Sequence, residues 1–126
     1  MNLTPGTTGH QEIIVGPNDT ATRYGSGLIE VFATPAMVAL MEKTAQLSVQ
    51  KLLPEGHITL GTEISITHVK ATRVGMKVFC ESELLVVDGR KLLFRVVARD
   101  EQGLIGEGTH RRHIVDAQRF LDKLNE

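Results

Sequence analysis

Apolar residues recur along this chain with two periods, and each period marks a different kind of element. In "TPAMVALMEKTAQLSVQKLLPEG", residues 34–56, a turn of 100° per residue gathers Val38, Met41, Ala45, Val49, Leu52 and Leu53 into one arc. Lys43, Gln46, Gln50 and Lys51 mark the solvent side. The stretch predicts one long helix from about Thr34 to Leu53, with Thr34 as N-cap, Pro35 at the first helical position, and Pro54 and Gly56 as its stop. Everywhere else of note the period is two. "HQEIIVG" predicts a short first strand, and "PNDTATRYGSG" a turn-rich connection with at most one helical turn. "HITLGTEISITHVKA" alternates through Ile58, Leu60, Ile64 and Ile66, and "MKVFCESELLVV" through Met76, Val78, Cys80, Leu84 and Val86. "KLLFRVVARD" alternates through Leu92, Phe94, Val96 and Ala98, and "LIGEGTHRRHIV" follows it. Asp88-Gly89 and "DEQG" are hairpin signals between these strands. "DAQRFLDKLN" predicts a short amphipathic helix at the end. The order strand, helix, four hairpin-linked strands implies an α+β layer in which a curved antiparallel sheet wraps one long helix.

Two ionisable residues interrupt these apolar faces. Glu42 falls inside the helix arc, flanked by Val38, Ala45 and Val49, where a carboxylate is rarely buried without a partner. His68 continues the even-numbered series 58, 60, 62, 64, 66 on the strand face that looks toward the helix. A carboxylate and an imidazole meeting in one cleft form a plausible acid/base or nucleophile/base pair. Taken singly each has a plainer reading: Glu42 as a rim carboxylate paired with lysine or a backbone N–H, His68 as a satisfied core histidine. Thr34 lies eight residues before Glu42, about 12 Å along the helix axis. It serves either as an N-cap alone or as a third polar group at a helix end whose dipole favours developing negative charge.

Composition narrows the class. At 126 residues, 41% hydrophobic and 23% charged, the chain is read as one domain, residues 1–126. Its net charge of −1 argues against an electrostatic nucleic-acid or membrane-surface partner. The single cysteine, Cys80, sits at an apolar strand position and reads as an inert core thiol. With neither a leader signature nor an apolar run of membrane-spanning length, the expected location is cytoplasmic. Neither Gly25–Gly27 nor Gly103–Gly108 has the strand-turn-helix context of a dinucleotide fingerprint. "THRRH", residues 109–113, reads as a solvated edge or an anion-binding patch.

"VFATPAMVALMEKTA", "GTEISITHVKATRVGMKV", "VDGRKLLFRVVARD" and "GEGTHRRHIV" together resemble the fluoroacetyl-CoA thioesterase-like branch of the hotdog thioesterases, over about residues 10 to 121. The most specific part is a spacing: threonine at the helix start, glutamate eight residues on, histidine 26 residues after that. The resemblance implies a hotdog fold and a catalytic triad carried by Thr34, Glu42 and His68. It implies an acyl site lined by the Gly61 backbone and a substrate-pocket arginine at Arg112. Because CoA is anionic and the net charge offers no broad attraction, Arg111 or Arg112 are the basic candidates for its phosphates, with Lys70 and Arg73 in reserve. At the position of the family's aromatic lid this chain carries Leu28, with Phe32 nearby but out of step. That difference implies a general short-chain acyl-CoA thioesterase rather than a fluoroacetyl-specific one. The implied partners are acyl-CoA, with CoA as part of the substrate and no separate cofactor, and a second copy in a homodimer or larger assembly. A non-catalytic acyl-CoA-binding module and a hotdog enoyl-CoA hydratase or dehydratase are the alternatives.

Overall fold

A computed structural model of the chain describes residues 2–126. Five strands form one antiparallel sheet: β1 (Thr8–Ile14), β2 (His57–His68), β3 (Lys77–Asp88), β4 (Lys91–Asp100) and β5 (Gly103–Asp116). Their spatial order is β1-β3-β4-β5-β2, so β1 and β2 are the edges. A 3-10 turn (Pro17–Asp19) and the four-residue α1 (Ala21–Tyr24) lead into the long helix α2 (Thr34–Gln50), and α3 (Ala117–Leu124) closes the chain. Among the described residues, no helix is long and apolar enough to cross a membrane.

The predicted elements are all present, with shifted bounds. Helix α2 ends at Gln50 rather than near Leu53; Leu52 and Leu53 lie in the turn beyond it and still pack partly against the core. Its N-cap is Ala33, not Thr34, and no side chain caps it. The buried stripe runs through Met37, Met41, Ala45 and Val49, each four residues from the last, with Ala36, Leu40 and Thr44 beside it. Val38 is only half-buried, so the core-facing arc is rotated from the expected one and Glu42 sits on its rim.

This stripe fills the concave face of the sheet against Val78, Cys80 and Leu84 of β3, Leu92, Phe94, Val96 and Ala98 of β4, and Ile105 and Ile114 of β5. Full burial of each larger aliphatic or aromatic side chain contributes roughly 1.5–3 kcal/mol, which is what holds the helix in the sheet. The helix lies close on β1 at Gly9, where an added Cβ would stand 2.8 Å from the Thr44 carbonyl oxygen. Burial pushes the Cys80 thiol up to about 11, with Thr44 partly opposing and Glu81 adding to the rise, in keeping with an inert core cysteine.

Two irregularities change which residues face inward. The β2–β5 register slips between Gly61 and Glu63. Before the slip Thr59 and Gly61 look toward the helix; after it Ile64, Ile66 and His68 do. Ile58 and Leu60, expected on the core face, therefore fall on the other side of the sheet. A second slip, between Leu84 and Val86, leaves Val86 exposed and turns Val87 inward. An extra residue at a bulge reverses the phase of every side chain beyond it.

Candidate active site

Thr34 is the first residue of α2, and its hydroxyl is free of capping duty. Thr34 Oγ1 and His68 Nδ1, from the last residue of β2, share a hydrogen bond of 2.8 Å. Of the two readings open for this threonine, the contact disposes of the N-cap alone. The two side chains line a cavity of about 320 Å³ together with Ala21, Val31, Phe32 and Lys70. Phe32 is fully buried and meets the His68 ring edge-on, with centroids 6.4 Å apart. Isolated bridges Thr20↔Phe32 and Val31↔Arg73 fix this stretch, as does the Phe32 N–H, which donates to the Thr72 carbonyl at 2.8 Å.

Among the described residues, buried His68 Nε2 has no hydrogen-bond partner. Desolvation lowers the ring's pKa from 6.5, opposed by a backbone group at Lys70, so the imidazole is neutral at pH 7. Behind the cavity, the buried carboxylate of Asp100 accepts from the Gln102 N–H (2.8 Å), Thr72 Oγ1 (2.9 Å) and Lys70 Nζ (3.3 Å). Burial alone would raise the Asp100 pKa; these donors overcome it and hold it below the usual carboxylate value. Lys70 is thus tied to Asp100, and the segment from His68 to Thr72 is anchored to the β4–β5 hairpin.

Glu42 is elsewhere. Two turns of helix separate it from Thr34, and its carboxylate faces the middle of β2 and β5 rather than the His68 end. Its Oε2 is 4.0 Å from Arg112 Nη1 and would be 2.9 Å from a Cβ placed on Gly61. The Glu42 side chain is 43% exposed while Arg112 is 7% exposed, so the pair straddles the boundary between interior and solvent. Both line a separate, shallow depression of about 310 Å³ with Ala39, Lys43 and Gln46. Within one chain the expected residues therefore form two clusters, Thr34 with His68 and Glu42 with Gly61 and Arg112.

The run at residues 109–113, expected as a solvated edge or an anion-binding patch, splits between the two faces of β5. Arg111 and His113 point outward, Arg111 pairing with Glu63 at 3.1 Å, but His110 and Arg112 are buried. Arg112 Nε donates to Thr59 Oγ1 at 2.7 Å, Nη2 to the Thr59 carbonyl at 2.9 Å, and Nη1 to His110 Nε2 at 3.1 Å. Thr59 was not among the sequence candidates, and His110 entered only as a member of the 109–113 run; the signal that separates His110 and Arg112 from their neighbours is the alternation of β5, which makes Gly108, His110, Arg112 and Ile114 one face. Leu28 is 97% exposed on the loop ahead of α2 and touches neither cluster. Arg73 serves a bridge to Val31. A further cavity, about 560 Å³, lies on the outer sheet face around His10, Glu81, Glu83 and Arg95, away from both clusters.

Known proteins share this arrangement of elements. Residues 15–118 match the family described as fluoroacetyl-CoA-specific thioesterase. The fluoroacetyl-CoA thioesterase of Streptantibioticus cattleyicolor is 41% identical over 97 residues, 77% of this chain and 70% of that protein. A solved fluoroacetyl-CoA thioesterase superposes with a TM-score of 0.93 at 34% identity, covering 99% of this chain and 97% of that one. A phenylalanine-to-alanine mutant of that enzyme in complex with fluoroacetate and CoA gives a TM-score of 0.88 at 35% identity, covering 94% and 99%.

Proposed function

The chain belongs to the fluoroacetyl-CoA-specific thioesterase family and is an acyl-CoA thioester hydrolase; from that premise we propose a site formed by Thr34 and His68 of one copy and Glu42 of a second, acting on short-chain acyl-CoA. The observation that carries the reading is the 2.8 Å contact between Thr34 Oγ1 and His68 Nδ1, with His68 Nε2 buried and unpartnered beside a cavity. A hydroxyl and a neutral imidazole at that distance, at the N-terminus of a helix, are suited to a carbonyl that gains negative charge on attack.

Hydrolysis needs water or a carboxylate to attack the thioester carbon, a place for the oxyanion, and departure of the CoA thiolate. The Thr34 hydroxyl and the first-turn N–H groups of α2 hold the oxyanion. His68 Nε2 exchanges a proton with the reacting groups. Glu42 supplies the carboxylate, attacking directly or taking a proton from water. The C–S bond then breaks, and the thiolate takes up a proton and departs as CoA; where Glu42 itself attacked, water then cleaves the acyl–Glu42 anhydride, releasing the acid and restoring the carboxylate.

The need for a second copy follows from the two clusters. A two-fold axis passing close to Val38, midway between Thr34 and Glu42, would set each Glu42 against the other copy's Thr34 and His68. Half-buried Val38 and exposed Ala39 allow close approach there. Strand β2 is an open edge with exposed Thr62, Glu63, Ser65 and Thr67, and pairing it with its equivalent satisfies its free backbone groups. Leu28 in place of an aromatic lid favours acyl groups beyond fluoroacetyl, and the reading carries with it a cytoplasmic homodimer.

The test is release of free thiol from acyl-CoAs of increasing chain length, repeated with Glu42→Gln. Turnover of the short members, with a loss on the order of 10²-fold in kcat in the variant, is the expected result. Glu42→Gln turnover near the wild-type rate removes Glu42 from the chemistry.

A further inference from the structure

The hydrolysis described above uses neither member of the buried pair His110–Arg112, whose hydrogen bonds leave little freedom of assignment. His110 Nδ1 lies 2.8 Å from the Glu63 carbonyl oxygen, which can only accept, so Nδ1 carries the hydrogen. His110 Nε2 lies 3.1 Å from Arg112 Nη1, which can only donate, so Nε2 offers its lone pair. The ring is therefore the neutral Nδ1–H tautomer. A guanidinium has five N–H donors. Three of Arg112's are spent on Thr59 Oγ1, the Thr59 carbonyl and His110 Nε2, leaving two. One of the two is on Nη1, the atom 4.0 Å from Glu42 Oε2.

We infer that His110 is a positioning residue: as the Nδ1–H tautomer it holds Arg112 Nη1 so that its remaining hydrogen faces Glu42 and the acyl-CoA bound there. The inference rests on the thioesterase reading for its ligand, though not for its geometry. The groups facing His110 come from every element packed on it: Arg112 beside it on β5 is a cation that opposes a charged ring, β4 presents the Phe94 ring at a centroid distance of 6.3 Å, and the Glu63 carbonyl of β2 and Glu42 of α2 are the two that favour a charge. Desolvation is the main influence lowering the His110 pKa, with Arg112 acting in the same direction and the Glu63 bond and Glu42 against it. Protonation would place an N–H against an N–H and a cation against a cation.

Two substitutions separate positioning from bulk packing. His110→Phe keeps a ring beside Phe94 but removes the acceptor. His110→Gln keeps an acceptor oxygen but cannot titrate. Binding of CoA by calorimetry at pH 7.5 should weaken on the order of tenfold in His110→Phe, as for loss of a hydrogen bond to a charged group, and stay near wild type in His110→Gln. Arg112→Ala combined with His110→Phe should bind CoA no more weakly than Arg112→Ala alone, because both act through one guanidinium. Additive losses, unchanged CoA affinity in His110→Phe, or a glutamine variant as weak as the phenylalanine one would overturn the inference. The nitrogen-15 shifts of His110 give a readout independent of any ligand: protonated Nδ1 with unprotonated Nε2 at pH 7 is expected, and the opposite tautomer or an imidazolium overturns it. A wild-type protein that shows the expected tautomer yet neither binds CoA nor releases thiol would instead count against the thioesterase reading.

Discussion

Mixing two inactive variants, Glu42→Gln and His68→Ala, tests whether the site is shared between copies. Each variant alone should lose on the order of 10²-fold in kcat, because each removes one acid/base group from both sites of the proposed homodimer. In a mixed dimer the outcome depends on geometry. If Glu42 serves its own chain's Thr34 and His68, every site carries one defect and mixing restores nothing. If it serves the other copy, one site in the mixed dimer receives both substitutions and the second receives neither. Random exchange at equal amounts makes about half the dimers mixed, so about a quarter of all sites are intact and the rate recovers to about one quarter of wild type. That is some 25-fold above either variant alone. The structure favours recovery, because Thr34 is bonded to His68 while Glu42 lies two helical turns away beside Arg112. The assay is thiol release after co-refolding, with the mixed fraction counted by native mass spectrometry. A sample that is half mixed dimer and no more active than its parents refutes the shared site.

Two other perturbations bear on the same region. Gly61→Ala would put a Cβ 2.9 Å from Glu42 Oε2, 3.2 Å from His110 Cε1 and 3.4 Å from Arg112 Nη1. The carboxylate is a flexible side-chain end and can move aside, so the melting temperature should hold while kcat/KM for acyl-CoA falls on the order of tenfold or more; an unchanged kcat/KM counts against Glu42 being placed by this contact. Stability should also depend on pH in a defined direction. His68 and His110 both have pKa values lowered below 6.5 in the folded state, so the unfolded chain binds more protons as pH falls through 6.5 and below. The Asp100 pKa, lowered from 3.8, extends the loss to more acid pH. Thermal melts should show a lower Tm at pH 5 than at pH 7.5, with a shallower decline in His110→Gln; a Tm that rises on acidification contradicts the sign.

Much of this protein was legible in its sequence, for a physical reason. A helix and a strand impose different periods, so α2, β3 and β4 announce themselves through residues such as Met41, Ala45 and Val49, or Leu92, Phe94 and Val96. Glu42 stood out because the expected arc enclosed it, where a carboxylate needs a reason; the actual stripe is rotated and leaves it at the rim. What periodicity lacks is phase across an irregularity. One extra residue at Gly61–Glu63 moves Thr59 inward and Leu60 outward, and both phases read equally well as a strand. Nor does it carry distance between elements. Thr34 and His68 are 34 residues apart, and only the seating of the helix on the sheet brings a hydroxyl to 2.8 Å from an imidazole. The same seating buries Arg112 and His110, which the sequence alone left between a solvated edge and an anion-binding patch. Local sequence determined the elements and the odd residues within them; the register of β2 on β5 and the placement of α2 decided which of those residues meet, because such contacts depend on many side chains packing at once.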